Sequence, residues 1–290
     1  ARLALRPVAQ IARNLLQLDL PAQQDAIDAT TFIRIRQQLD AQLTPQIQFL
    51  ALAWTRPFRV DCMGITAAFA FGFSRNHCAS GCNATAISPY FASQSRAPFT
   101  DFGMRPAMLL AGATPVSVRA LIDRGKASDG TFPYNGDGYV LDTSDQQRSI
   151  RAQSPSLSQA GARPLRKTRR DYLQDTHNIL FYFTGSTQVP QLDSNRFLPG
   201  AVGDHLTSFG GVLTGSEQMS ALRWLEAGAT GSYGTVVEPC NFPHKFPLPE
   251  ALAHFYQRGD SLIEAYWKSV QMPGQGVFIG EPLAAPFSPR

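Results

Sequence analysis

The hydrophobic pattern of this chain alternates between short apolar runs and segments with helical periodicity. Strand-like runs lie at 47–54, 107–111, 138–141, 178–183, 201–202, 229–237 and 276–280. Helical periodicity occurs at 28–43, 115–124, 216–226 and 261–270. Strands that alternate with helices predict a single α/β domain over 1–290, with a mostly parallel sheet and helices on both faces.

Capping signals mark where three of these helices begin. Thr114 stands before Pro115, so Thr114 is a suitable N-cap and Pro115 fits the first turn. Ser216 is placed to cap the next helix. Ser261 and Glu264 have the spacing of a capping box, which predicts the start of the last helix.

Two long segments lack clear periodicity. Residues 56–104 carry many turn signals and three of the four cysteines, so a cysteine-bearing insertion is predicted there. Residues 144–176 are polar and irregular. They contain a basic cluster made up of Arg163, Arg166, Lys167, Arg169 and Arg170. The cluster has no interleaved aromatic residues and the net charge is only +4, so a solvated loop is favoured over a nucleic-acid-binding patch.

The cysteine spacing favours disulfides over a metal site. Cys78 and Cys82 lie in a loop-like stretch, and their spacing suits a local disulfide. The alternative is a zinc site that adds His77 and Cys62, although the spacing is at the edge of zinc-ligand patterns. Disulfides form in oxidising compartments, so an exported protein, periplasmic or extracellular, is predicted.

Other common signals do not occur in the sequence. No apolar run approaches the roughly 18–20 residues of a membrane-spanning helix, so no transmembrane segment is predicted. The segment 1–6 lacks the apolar h-region and the cleavage site of a signal peptide. Glycine motifs that bind phosphate or dinucleotides are also absent, and no cofactor is predicted.

Polar residues follow two of the apolar runs. Asp204 and His205 end one run, and Glu238 and Cys240 follow a later one. Ligands of parallel sheets bind beyond the carboxyl ends of the strands. We therefore expect these four side chains to meet at one edge of the sheet.

The residue types at this edge match catalysis by a thiol. Cys240 is the candidate nucleophile, His205 its base, and Asp204 or Glu238 the residue that orients the imidazole. Structural roles are the competing interpretation, because Cys240 could pair with Cys62 and His205 could tie loops together through hydrogen bonds. Metal or ligand binding at the same edge is a third interpretation.

Further residues at the same edge are candidates for binding a substrate. They are Arg56, Ser186, Ser208, Asn241 and Lys245. Asn241 could stabilise an oxyanion, and Arg56 and Lys245 could hold a substrate carboxylate. Ser186 and Ser208 are weaker as nucleophiles, because neither lies in a Gly-x-Ser-x-Gly elbow.

Several segments resemble a bacterial family that occurs in genomes encoding exosortase, a membrane transpeptidase proposed to sort exported proteins. The segments that carry the resemblance are 54–62, 200–208, 232–241, 265–270 and 280–283. The resemblance covers most of the chain from about Trp54 onward. It implies an exported accessory protein of surface sorting or assembly, and it implies no particular chemical activity.

A more distant resemblance is to the gingipain and caspase-like peptidases. Residues 179–186 are similar to the strand that ends in a catalytic histidine in gingipains, and 201–211 are similar to the next strand, which ends in a catalytic cysteine. Gly185 and Ser186 stand where a Gly-His-Gly is expected, and His205 lies in the cysteine neighbourhood. The resemblance implies a caspase/gingipain-like sheet that lacks the standard His/Cys dyad.

Three expectations for function follow. The first is an exported accessory protein of exosortase-type sorting or assembly on a hydrolase-like scaffold. The second is an active thiol hydrolase or transpeptidase that uses Cys240 and His205. The third is a structural subunit of a larger extracellular assembly. A protein partner is compatible with all three, and none of them calls for nucleic acid.

Overall fold

An eight-stranded sheet forms the centre of the computed structural model, which describes residues 14–79, 82–159, 161, 164–240 and 242–289. The strands are β1 (Ala26–Ile27), β2 (Leu50–Leu52), β3 (Arg59–Val60), β4 (Met63–Gly64), β5 (Ala107–Leu109), β6 (Asp137–Leu141), β7 (Arg166–Thr168), β8 (Ile179–Thr184), β9 (Phe197–His205), β10 (Gly231–Thr235) and β11 (Gly276–Gly280). The helices are α1 (Ala29–Asp40), α2 (Ile65–Phe71), α3 (Pro98–Phe102), α4 (Pro115–Ser128), α5 (Leu222–Glu226), α6 (Pro249–Gln257) and α7 (Leu262–Ser269). The large sheet has the order β2-β5-β11-β10-β9-β8-β6-β7, and a small sheet has the order β1-β3-β4.

The large sheet consists of two parallel groups that run in opposite directions. Strands β2, β5 and β11 are parallel to one another. Strands β10, β9, β8, β6 and β7 form the second parallel group. The groups meet where β10 pairs antiparallel with β11, with Gly231 opposite Gly280. The predicted α/β fold with a mostly parallel sheet is therefore confirmed, with one antiparallel junction.

This junction separates strand ends that we expected to find together. The carboxyl ends of β8, β9 and β10 lie at one edge of the sheet, and those of β2 and β5 lie at the opposite edge. Arg56 follows β2, so the prediction that it shares an edge with Asp204 and His205 is wrong. A hydrophobic run predicts a buried strand, but it does not show in which direction that strand pairs.

Apolar side chains pack on both faces of the sheet. On one face, Phe181 and Phe183 of β8 and Phe278 of β11 pack with α6 and α7. On the other face, Tyr182 of β8 packs with Trp224 of α5. Helices α1, α2 and α4 also bury apolar residues on that face. Successive strand residues point to opposite faces, so a strand covered on both sides is buried throughout, as β8 is. The predicted helices on both faces are confirmed.

Three helices begin where local sequence signals place their starts. The Asp28 side chain caps α1. Thr114 and Ser117 form a capping box at α4, and Ser261 and Glu264 form the predicted one at α7. These interactions satisfy backbone amides that the first helical turn leaves without partners.

The helix predicted at 216–226 is wrong in its first half. Only α5 is helical, because Gly215 has a φ of 75° and the Ser216 hydroxyl accepts a hydrogen bond from the amide of Gln218 at 3.0 Å. Ser216 therefore stabilises a turn in place of a helix N-terminus.

The strand predicted at 47–54 is also shorter than expected. Only β2 pairs, at the edge of the sheet, and its Ala51 is exposed. The run is therefore not covered on both faces, although a near-continuous apolar run is typical of a strand that is. The irregular segments hold structure that weak periodicity did not indicate, since 56–104 contains β3, β4, α2 and α3, and 144–176 contains β7.

The basic cluster is partly a strand and not wholly a loop. Arg166 and Lys167 lie on β7 with exposed side chains, and they form ion pairs with Asp137 at 2.9 Å and Asp142 at 3.3 Å. Arg163 and the segment 1–6 lie outside the described residues. Within the described part of the chain, every helix is too short or too polar to cross a membrane.

Both disulfides differ from the predicted local pair. Cys62 bonds Cys78, and Cys82 bonds Cys240, with Cα atoms 5.3 Å apart in each pair. The prediction of a Cys78–Cys82 disulfide is therefore wrong, and so are the zinc alternative and the Cys62–Cys240 alternative. Close spacing in sequence was misleading, because the fold brings the turn between β3 and β4 against Cys78.

Candidate functional site

Asp204 and His205 are neighbours in sequence but face opposite sides of the sheet. Both lie at the end of β9 and both are almost completely buried. Because strand residues alternate, Asp204 lies on the face of Arg151, whereas His205 lies on the face of Trp224. The two side chains therefore cannot act together on one substrate.

Asp204 forms a buried ion pair with Arg151. Its Oδ1 accepts a hydrogen bond from Arg151 Nη1 at 2.6 Å, and the two side chains are 1% and 2% exposed. Arg151 also donates to the carbonyls of Thr184 at 2.9 Å and Pro247 at 3.2 Å. Burial raises the pKa of the Asp204 carboxyl, and the Arg151 guanidinium opposes that rise. The pair ties β8 and β9 to the 148–153 segment.

Arg151 is a site residue that sequence reasoning missed. It lies in the 148–153 segment, a 3-10 helix within the region predicted to be an irregular loop. A buried aspartate requires a cationic or hydrogen-bonding partner, and Arg151 supplies it for Asp204. Nothing in the sequence distinguishes Arg151 from the other arginines of that region.

His205 uses both ring nitrogens inside the protein. Trp224 Nε1 donates to His205 Nδ1 at 2.9 Å, and His205 Nε2 lies 2.9 Å from the carbonyl oxygen of Met219. These partners require the tautomer in which Nε2 carries the proton and donates to that carbonyl. Burial lowers the pKa of His205 to about 4, so the ring is neutral near neutral pH. His205 therefore has no lone pair free to accept a proton from Cys240.

Trp224 depends on a glycine for its position beside His205. A Cβ at Gly203 would lie 2.3 Å from Trp224 Cε3, so a larger residue on β9 would displace the indole. Trp224 is completely buried and makes an edge contact with Tyr182 at 4.9 Å between ring centroids. In the sequence, the glycine between Val202 and Asp204 was the signal that a large side chain packs against this strand.

Cys240 is not available as a nucleophile. Its sulfur is bonded to Cys82, and a thiolate is required for attack. Glu238 is exposed and accepts a hydrogen bond from the Cys240 amide at 2.7 Å, so it stabilises the local turn. The predicted assembly of Cys240, His205, Asp204 and Glu238 in one catalytic group is therefore wrong.

Lys245 is a buried cation with internal partners. Its side chain is inaccessible to solvent, and Nζ donates to the carbonyls of Asn83 at 2.8 Å and Pro239 at 3.1 Å. Burial lowers the pKa of Lys245. Since these carbonyls flank the Cys82–Cys240 disulfide, Lys245 reinforces the same junction. It does not face a substrate, contrary to the prediction.

The remaining predicted residues of this edge also have structural partners. The Ser186 hydroxyl donates to the Gln188 carbonyl. The carbonyl oxygen of Ser208 accepts a hydrogen bond from the Thr235 hydroxyl at 2.8 Å. Asn241 lies outside the described residues. The edge is closed here, because a Cβ at Gly185 would lie 2.1 Å from the Arg148 carbonyl oxygen. The 148–153 segment therefore covers the ends of β6 and β8.

A cleft of about 550 Å³ lies at the opposite edge of the sheet, beyond the carboxyl ends of β2 and β5. It is lined by Ala22, Gln23, Trp54, Thr55, Arg56, Gly112, Ala113, Leu213, Thr214, Ser220, Leu222, Arg223 and Glu226. Of the predicted site residues, Arg56 lines this cleft. The others lie near the opposite ends of β8, β9 and β10, apart from Asn241, which is not described.

In the described part of the chain, no group of three or more His, Cys, Asp or Glu side chains is arranged to hold a metal ion. Comparisons with models of protein families, with curated proteins and with solved structures found no match to this chain.

Proposed function

We propose that this protein is an exported accessory protein that acts by binding in exosortase-type surface sorting or assembly, on a hydrolase-like scaffold without thiol chemistry. The absence of thiol chemistry is proposed because both candidate catalytic residues are already bonded within the protein. Cys240 is oxidised, and both nitrogens of His205 are hydrogen-bonded within the core.

Nucleophilic catalysis by a cysteine requires a reactive thiolate with a base within hydrogen-bond reach. Cys240 and His205 meet neither requirement, and the ends of β6 and β8 are covered by the 148–153 segment. The resemblance to gingipains supports a common scaffold, and the closed edge supports a scaffold that no longer carries the peptidase site.

Export is supported by the use of all four cysteines in disulfides, since such bonds persist in oxidising compartments. The role in surface sorting is supported by the sequence resemblance of the segments from Trp54 onward. The two arguments are independent, so they can fail separately.

The role in sorting can be tested in a bacterium that encodes both this protein and exosortase. Surface retention of an exosortase-dependent reporter is compared in the parent strain, in strains that lack either gene, and in a complemented strain. We expect loss of this protein to reduce surface reporter as loss of exosortase does. Normal retention in its absence would contradict the assigned role.

The absence of thiol chemistry has a separate test. The purified protein is denatured without reductant, treated with iodoacetamide and weighed by mass spectrometry. We expect no alkylated cysteine before reduction and, since the chain contains 4 cysteines, four after it. Alkylation of Cys240 in the unreduced protein would restore the thiol hydrolase hypothesis.

A further inference from the structure

The cleft next to Arg56 has the position and the size of a ligand site. It adjoins the carboxyl ends of β2 and β5, where α/β sheets commonly bind ligands. Its volume of about 550 Å³ falls within the range of small-molecule sites. Nothing in the proposed role in surface sorting requires this cleft, so the inference below stands separately from it.

The hydroxyl groups of the cleft are already used as donors within the protein. Thr55 donates to the Gly112 carbonyl at 2.9 Å, and Ser220 donates to the Leu213 carbonyl at 3.1 Å. Thr214 donates to Asp25 at 3.0 Å. The donors that remain for a ligand are therefore the guanidinium groups, the side-chain amide of Gln23 and backbone amides.

Arg56 is held so that its terminal nitrogens are left for a ligand. Its Nε donates to Thr214 Oγ1 at 3.0 Å and lies 3.0 Å from Asp25 Oδ1. Its Nη1 and Nη2 have no hydrogen-bond partner among the described residues, and the side chain is 37% exposed. A guanidinium with both terminal nitrogens available binds a carboxylate through two parallel hydrogen bonds.

Both arginines of the cleft are ion-paired, but Arg56 pairs with Asp25 through Nε, whereas Arg223 uses its terminal nitrogens. Arg223 donates to Glu226 and, at 3.0 Å, to Asp193. Arg56 is therefore the cation that can recognise a ligand, while Arg223 and Glu226 form one wall. The positive end of the 14-residue helix α4 begins beside Ala113 and adds to the attraction for an anion.

Apart from Gln23, the rest of the lining is apolar. Trp54 contributes an indole that is fixed by its Nε1 hydrogen bond to the Pro57 carbonyl at 3.0 Å. Leu213 and Leu222 complete this apolar surface. An apolar wall beside one available guanidinium is the arrangement expected for a small acid with an apolar body.

We propose that this cleft binds a small carboxylate-bearing ligand. Arg56 Nη1 and Nη2 donate to its carboxylate, and Trp54, Leu213 and Leu222 contact its apolar part. Thr214 acts as a positioning residue, because it fixes Nε of Arg56 and so the direction of the guanidinium.

The test uses matched acid and amide probes. Hippurate carries a carboxylate and a phenyl ring, and hippuramide has the same shape without the charge. Binding is measured by saturation-transfer NMR and by titration to about 10 mM. We expect hippurate to bind at least about tenfold more tightly than hippuramide, as loss of a charge-assisted pair of hydrogen bonds implies. Equal affinities, or no binding of hippurate, would overturn the proposal.

Variants assign the effect to Arg56. Arg56→Gln is expected to weaken hippurate binding about tenfold and leave hippuramide unchanged, with Arg56→Lys in between. Arg169→Gln is the matched control, because Arg169 is exposed and follows β7 at the far end of the sheet. Thermal unfolding verifies that each variant is folded, and Thr214→Val provides a second route to the same loss. Unchanged hippurate affinity in folded Arg56→Gln would overturn the proposal.

The source of the carboxylate is distinguished by a peptide arm. N-acetyl-Ala-Ala-Phe is compared as its free acid and as its C-terminal amide. Tighter binding of the peptide acid than of hippurate identifies a peptide C-terminus as the ligand, and tighter binding of hippurate identifies a free organic acid. Both results support recognition of a carboxylate, whereas equal binding of the peptide acid and amide contradicts it.

Discussion

At the scale of single residues, the polar groups at the end of β9 stabilise the fold. His205 accepts from one buried donor and donates to one buried acceptor, since Trp224 is completely buried and Met219 is 8% exposed. A buried polar group that loses its partner costs about 1–3 kcal/mol. The same imidazole that suggested catalysis is therefore expected to matter for stability.

Replacing His205 by leucine removes both hydrogen bonds. We expect His205→Leu to lower the free energy of unfolding by about 2–5 kcal/mol, and His205→Gln to lower it less, because an amide can both accept and donate. Urea denaturation near neutral pH measures the change. His177→Leu, at an exposed histidine, is the control and should stay within about 0.5 kcal/mol of the parent. Equal effects at positions 205 and 177 would contradict this account.

The Asp204–Arg151 pair makes a second prediction at this scale. Asp204→Leu or Arg151→Leu alone leaves a buried group without its partner, and each is expected to cost about 3–5 kcal/mol. The double variant should cost clearly less than the sum, because no unpaired charge remains. A double-mutant cycle from urea denaturation gives the coupling energy. Strictly additive losses would show that the pair is not coupled.

At the scale of elements, the starts of three helices could be predicted from the sequence, whereas the direction in which strands pair could not. The starts of α1, α4 and α7 depend on residues within four positions of each other, so the sequence shows them directly. Strand direction depends on distant pairing, and nothing in the apolar run of β11 shows that it runs antiparallel to β10. The wrong placement of Arg56 followed from this difference.

The cysteine pairing failed for the same physical reason. Cys82 and Cys240 are 158 residues apart, and only the folded arrangement of β10 and the insertion brings them together. In the site, the polar character of the β9 end could be predicted, whereas Arg151 and Trp224 as its partners could not. Their contacts cross 53 and 19 residues of sequence.

The two disulfides should differ in their effect on stability. The Cys62–Cys78 bond spans 16 residues and the Cys82–Cys240 bond spans 158. Loop-closure entropy then predicts that Cys82→Ser with Cys240→Ser costs about 2 kcal/mol more than Cys62→Ser with Cys78→Ser. Urea denaturation of the two double variants under non-reducing conditions measures the difference. A larger loss for the short-range pair would show that native-state contacts dominate.

At the scale of the whole molecule, two buried groups give opposite dependence of stability on pH. His205 stays neutral down to about pH 4 in the fold, so the unfolded state binds its proton first and stability falls on acidification from about pH 6.5. Glu281 is buried against Gly125 of α4, and burial raises its pKa from 4.5 to about 7. The folded protein keeps the Glu281 proton to a higher pH than the unfolded chain does, so stability falls as pH rises from about 4.5 to 7.

Because the two effects oppose each other in the parent protein, replacing either residue should reveal the pH dependence of stability that the other residue causes. In Glu281→Gln we expect stability to decrease by up to about 3 kcal/mol as pH falls from about 6.5 to 4. In His205→Gln we expect a decrease as pH rises from about 4.5 to 7, with the parent protein showing the shallowest profile. Urea midpoints across this pH range provide the measurement. Parallel profiles for the parent and both variants would rule out these two groups as the titrating sites.

The exposed basic strand β7 has a consequence for how separate molecules meet. An eight-stranded sheet that ends in an open strand offers unpaired backbone groups to a neighbouring molecule, and this favours stacking into fibres. Arg166 and Lys167 place charged side chains with their carboxylate partners on that margin, and joining a second strand there would cost the hydration of these charges. Crowded solutions of this protein should therefore stay clear, whereas Arg166→Thr with Lys167→Thr should turn turbid on storage as judged by light scattering.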